Sequence, residues 1–199
     1  MNLVCFPGLT GGGLVCNLLN ENYTPIDNPV VKSIQHFIFK TGRETGFDTY
    51  LYYDESQWNS KIKSWEKTNF YFGTHCHPSI IKVLDKFKKI IVITVTTNKS
   101  KFYRFLRDIH IHNVEDENEM YGHAKMIIEN NFTPYPNCVN VEFEDIVNGE
   151  FVRKNNLNIN YFNDWKNHNN FLYEPDPKLT SIFEKVLSRG EQHAISTTY

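Results

Sequence analysis

The stretch Leu3-Val4-Cys5-Phe6-Pro7-Gly8-Leu9-Thr10-Gly11-Gly12-Gly13-Leu14-Val15-Cys16-Asn17-Leu18-Leu19 limits what this chain can fold into more than any other. A short apolar run meets a glycine-rich turn, and apolar residues then resume at helical spacing, the order of a strand, a loop and a helix start. Four of the chain's ten glycines fall between positions 8 and 13. Without Cβ, the backbone there is free to take positive φ and to approach a ligand closely. Several N–H groups and the positive end of a helix dipole can then converge on a phosphate or sulfate, drawn from Gly8, Leu9, Thr10, Gly11, Gly12, Gly13 and Leu14. A strand-to-helix turn that binds nothing accounts for the same glycines. The Lys-Ser/Thr pair that closes a Walker A loop is missing, because Leu14-Val15 follows Gly12-Gly13.

Three further β-rich runs follow, at 70–73, 90–96 and 138–143, after the first at 3–6. The run Ile90-Ile91-Val92-Ile93-Thr94-Val95 is apolar on both faces, which suits the interior of a parallel sheet covered by helices. Helices are expected at 13–19, 29–39, 79–87, 119–130 and 178–187. Strands alternating with helices predict an α/β chain with three layers, α/β/α, around a mainly parallel central sheet. The 199 residues form one domain over 1–188, with 189–199 as a polar, loose tail. In such sheets ligands bind beyond the carboxyl ends of the strands. Three segments meet that condition: the glycine loop, Gly73-Thr74-His75-Cys76-His77, and Thr96-Thr97-Asn98-Lys99-Ser100.

Composition narrows the partners. A formal net charge of -2 gives no bulk attraction to nucleic acid, although basic residues cluster on both sides of the 90–96 run. Hydrophobic content of 40% and aromatic content of 15% belong to a folded chain. Cys5, Cys16, Cys76 and Cys138 form no C-x-x-C pair and sit in apolar surroundings, which suits buried thiols in a reducing, cytoplasmic compartment. Neither a signal peptide nor a span long enough for a membrane is expected, and so no membrane partner.

His75 directly follows an apolar strand, where an imidazole with an ordinary pKa near ~6.5 can take a proton from a hydroxyl. A histidine that caps the next helix is the structural alternative, and His77 reads as structural. His75-x-His77, His110-x-His112 and His123 raise a metal-dependent hydrolase, but His110 and His112 fall in a polar 108–119 stretch that reads as a surface loop, and no metal is expected. Arg104 and Arg107, one helical turn apart, suit bidentate contact with phosphate, and equally suit a basic helix face. In Glu142-Phe143-Glu144-Asp145, a helix N-cap at Asp145 is more economical than a catalytic carboxylate pair. Tyr50, Tyr52, Tyr53, Trp58 and Trp65 could line an acceptor pocket or pack as ordinary aromatics.

In this order the segments resemble the P-loop-fold sulfotransferases that use 3′-phosphoadenosine 5′-phosphosulfate. Phe6-Pro7-Gly8-Leu9-Thr10-Gly11-Gly12 is similar in placement to that family's phosphosulfate loop, and Gly73-Thr74-His75-Cys76-His77-Pro78 to its Lys-Thr-His-Leu-Pro segment. The 90–98 strand with residues 99–106 is similar to its 3′-phosphate segment, and Val141-Glu142-Phe143-Glu144-Asp145-Ile146-Val147 to its Tyr-Glu-Asp-Leu strand end. The resemblance covers residues 1–150. It implies 3′-phosphoadenosine 5′-phosphosulfate as donor, an acceptor hydroxyl or amine on a small molecule, glycan or protein, His75 as general base, and Thr97 with Ser100 or Arg104 at the 3′-phosphate. The family's loop lysine is absent, however, and its lysine before Thr-His is Gly73. A catalytically inactive nucleotide- or anion-binding module on the same fold is therefore the alternative to a transferase.

Overall fold

Continuous apolar residues build the sheet. In the computed structural model, which describes residues 2–21, 56, 59, 60, 63, 71–75, 84–130 and 137–196, β1 spans Asn2–Phe6, β2 Tyr71–His75, β3 Ile90–Thr94 and β4 Val139–Glu142. All pair in parallel, in the order β2-β1-β3-β4. Leu3, Val4, Cys5, Ile91, Val92 and Ile93 are withdrawn from water on both faces of β1 and β3. Each buried Leu, Ile or Val contributes about 1.5–3 kcal/mol. The chain is thus a mixed α/β structure, mostly helical, around a small parallel sheet.

Helices begin and end where local chemistry dictates. Helix α1 (Gly12–Glu21) starts at the glycine loop and packs on β1 and β2. Asn20 on α1 pins the start of β2: its amide donates to the Tyr71 carbonyl at 3.0 Å and accepts from the Tyr71 N–H at 2.8 Å. Helix α2 (Asn98–His112) is N-capped by Thr97 and ends at Asn113, whose φ of 50° turns the chain left-handed. Helix α3 (Glu117–Glu129) is capped by Asp116, which accepts from the Glu119 N–H at 3.0 Å. Short helices α4 (Phe143–Val147) and α5 (Glu150–Lys154) follow β4, then α6 (Ile159–His168) and α7 (Pro177–Ser196). Among the described residues no helix is long and apolar enough to cross a membrane.

Several boundaries depart from the sequence reading. His110 and His112 lie in the last turn of α2, not in a surface loop, because the buried Phe105, Leu106 and Ile109 hold that helix through to its cap. Helix α7 continues past Leu187 to Ser196, into the stretch expected to be a loose tail. Asp145 lies inside the first turn of α4, and Glu142 occupies the N-cap position without a side-chain capping bond. The expected 29–39 helix, most of the 79–87 helix, His77, and Tyr50, Tyr52, Tyr53, Trp58 and Trp65 lie outside the described residues.

Candidate anion site at the carboxyl ends of the strands

The strand order directs attention to one crevice. The chain passes from β1 to β2 on one side, then crosses to β3 on the other side of β1, so the order reverses between β1 and β3. In open parallel sheets that reversal leaves a crevice at the carboxyl ends, where ligands bind. Residues 7–11 leave β1 at this edge, and residues 95–97 leave β3. Parallel register sets Phe6 opposite His75, so the backbone of His75 ends β2 beside the residue that precedes the loop.

The loop is tightly constrained. Leu9 and Gly11 take φ of 69° and 72°, a left-handed conformation that is costly for leucine and free for glycine. Thr10 is buried and its hydroxyl donates to the Pro7 carbonyl at 2.7 Å, which closes the turn. Val15 N–H donates to Gly11 at 3.1 Å and begins α1. The Phe6 ring lies where a Cβ on Gly12 would have to be, so only glycine fits at 12. The same ring, with Cys16 Sγ, closes off position 73. A Cβ there would lie 2.9 Å from the sulfur and 3.0 Å from the ring, which accounts for glycine where the resembling family has lysine. Burial pushes the Cys16 thiol upward, Cys5 adding to it, so this cysteine serves packing and not nucleophilic chemistry.

A guanidinium faces the loop. Arg107 on α2 is 2% exposed, and its Nη1 lies 3.9 Å from the position a Cβ on Gly11 would take. Ile146 and Phe143 of α4 flank the same point at 3.7 and 3.8 Å. Trp165 on α6 covers the guanidinium, with Cζ 5.7 Å from its ring centroid. Asn17 of α1 donates to the Tyr161 hydroxyl at 2.8 Å, which ties α6 to the helix that the loop begins. Arg104, one turn earlier, is held below the usual arginine range by burial, against the opposing pull of Asp108. Its Nε has no hydrogen-bond partner among the described residues. Asp108 meets instead the Nδ1 atoms of His112 and His123, at 2.9 and 2.5 Å.

The start of α2 is organised oppositely. Register places Thr94 beside Glu142, and the Glu142 carboxylate accepts from the Thr94 hydroxyl at 2.8 Å, the Thr96 N–H at 3.2 Å, the Thr96 hydroxyl, and the Ser100 hydroxyl at 2.8 Å. Burial raises this carboxyl, but the bonds from Thr96, Thr94 and Ser100 outweigh it and hold the group below the ordinary glutamate range. Glu144 accepts from the Thr97 hydroxyl at 2.7 Å, while its own N–H donates to Ser100 Oγ at 3.1 Å. Thr97 Oγ1 also accepts the Ser100 N–H at 3.0 Å. Both hydroxyls are thus committed to the protein's own carboxylates and amides.

The structure therefore brings Gly11, Gly12 and Arg107 together, sets the backbone of His75 nearby, and gathers Thr97 and Ser100 around Glu142 and Glu144. Gly8, Leu9, Thr10, Gly13 and Leu14 form the remainder of the loop and the first turn of α1. Trp165 is the residue that sequence reasoning did not select; Arg107 was read there as a phosphate contact or a basic helix face, and Glu142 as one of a possible carboxylate pair. The hydroxyl-rich 94–100 run opposite a strand-end acid was a readable sign of Glu142, whereas nothing local marks Arg107 as buried. Among the described residues no group of three or more His, Cys, Asp or Glu could hold a metal ion. Against known protein families, curated proteins and solved structures, the chain has no match.

Proposed function

We propose that this chain binds the phosphate or phosphosulfate end of a nucleotide at the glycine loop, on a P-loop-type scaffold of three α/β/α layers. The observation that carries the reading is the approach of the Arg107 guanidinium to Gly11, in a loop whose left-handed backbone opens helix α1. The helix dipole and the guanidinium have the same sign there, and an anion between them is stabilised by both. Their shared withdrawal from solvent strengthens the attraction. Free thiols at Cys5, Cys16 and Cys138 suit a cytoplasmic setting for this role.

A second reading is sulfonate transfer from 3′-phosphoadenosine 5′-phosphosulfate, supported by the Phe6–His75 register. In it, His75 takes the proton of an acceptor hydroxyl or amine, the acceptor atom bonds to sulfur, and the S–O bond to the 5′-phosphate breaks. Arg107 and the loop amides would hold the negative charge that develops on the departing phosphate.

Titrating the folded chain with pyrophosphate, and separately incubating it with the phosphosulfate donor and an acceptor panel, tests both. Saturable pyrophosphate binding is expected. A folded protein that binds no pyrophosphate overturns the anion-site reading. Turnover that falls by about 10²-fold or more in His75→Ala would establish the transferase reading; binding without any turnover leaves the binding module standing.

A further inference from the structure

We propose that His112 and His123 form a site for one divalent transition-metal ion such as zinc, between helices α2 and α3. The sequence pairs His112 with His110, but the fold regroups them: the His110 ring stacks on Phe171 at 3.9 Å between centroids, while His112 and His123 both turn to Asp108. Asp108 is 5% exposed; its Oδ1 meets the Nδ1 atom of His112 at 2.9 Å and its Oδ2 that of His123 at 2.5 Å. His112 Nδ1 also lies 3.0 Å from the Asp108 carbonyl oxygen. Each of these partners is an oxygen that accepts, so each Nδ1 carries the proton and each neutral ring keeps its lone pair on Nε2. Among the described residues neither Nε2 has a hydrogen-bond partner. The two side chains are 56% and 30% exposed, which leaves room for an ion and its waters to enter.

A carboxylate that holds the far nitrogen of a histidine is the outer shell a metal ligand needs: it fixes the tautomer, aims the ring and makes it a better donor. Here one buried carboxylate serves two rings. Their centroids are 6.2 Å apart, with planes inclined by 38°. With zinc about 2.0–2.1 Å from each nitrogen, two imidazoles on one ion have centroids at most about 6.4 Å apart, and about 5.2 Å apart at a tetrahedral angle. The pair lies within that span, and the exposed ring of His112 is free to supply the closure. Both oxygens of Asp108 are spent on orientation, so the protein offers two ligands and water completes the shell.

Such an ion ties the end of α2 to α3, and a ligand bound only by the folded chain raises its unfolding temperature. Titration of the full chain with Zn²⁺ at neutral pH, followed by calorimetry and thermal unfolding, tests the proposal. One equivalent is expected whose affinity falls at least about tenfold in His123→Ala, the least loss known even for an outer-shell partner. The zinc-dependent rise in unfolding temperature falls with it. Imidazole proton signals assigned to His112 and His123 through their variants should shift when Zn²⁺ is added to the native chain. His112→Ala, at the more exposed ring, gives the same reading should His123→Ala fail to fold, and His110→Ala binds as the native chain does. Zinc held equally by the native chain and both site variants sits at other side chains and overturns the proposal, as does a native chain that takes up no saturable equivalent.

Discussion

At the end of β1 a helix start faces a guanidinium, and at the end of β3 a helix start faces two carboxylates. Both places have the same local construction, a buried strand, a short turn and the head of a helix of ten residues or more. Each is a generic attractor of negative charge. What separates them is the element that arrives from elsewhere in the chain. Residues 142–144 enter the α2 end with anions and satisfy it internally. Arg107 enters the α1 end with a cation, and Trp165 shields it. One attractor has been filled by the protein, and the other has been strengthened. Two helix starts of similar construction thus differ in electrostatic character through their tertiary neighbours.

The largest effect that would test this contrast comes from the loop. Gly12→Ala forces a methyl into the Phe6 ring and is expected to cost about 1–3 kcal/mol, read as a lower urea midpoint, with loss of pyrophosphate binding. An unchanged midpoint would mean that the ring does not wedge the loop. Next is Arg107→Lys, which keeps the charge but loses the planar fork. Pyrophosphate affinity should fall about tenfold by calorimetry, near 1.4 kcal/mol, measured at a temperature where circular dichroism shows the variant folded. Affinity equal to that of the native chain would remove Arg107 from the site.

The smallest effect belongs to the filled end. Glu142→Gln should lower stability at neutral pH by about 1 kcal/mol, because it exchanges charge-assisted acceptors for an amide whose NH2 opposes donors. The pH dependence follows from the sign of the shift. The folded pKa of Glu142 lies below its unfolded value, so the stabilisation is complete above the unfolded glutamate value and is lost as pH falls through the folded one. Between neutral pH and the acid range the native chain should lose more stability than Glu142→Gln. Parallel pH profiles for the two proteins would show that the carboxylate is not engaged as described.

Much of the framework was legible locally. The strands at 3–6, 70–73, 90–96 and 138–143 were marked by β-branched and aromatic runs, and all four form within a few residues of those bounds. The glycine loop announced its own backbone, since Gly11 does adopt positive φ, though Leu9 shares that conformation against its type's preference. The reach of α2 was harder to see. Its last turn alternates Ile109 and Ile111 with His110 and His112, and the buried Phe105, Leu106 and Ile109 with the Asn113 cap keep it helical. The roles of Thr97 and Ser100 were least visible, since their hydroxyls are spent on acids more than 40 residues away in sequence.

The amino-acid sequence by itself determined where strands, turns and helix starts occur, because hydrophobic period, glycine content and capping residues act over a few positions. Tertiary structure alone decided which helix start meets carboxylates and which meets a guanidinium. That outcome depends on whether a carboxylate from β4 and α4 or a guanidinium from α2 arrives at a given helix end, and electrostatic fate is set by proximity in space.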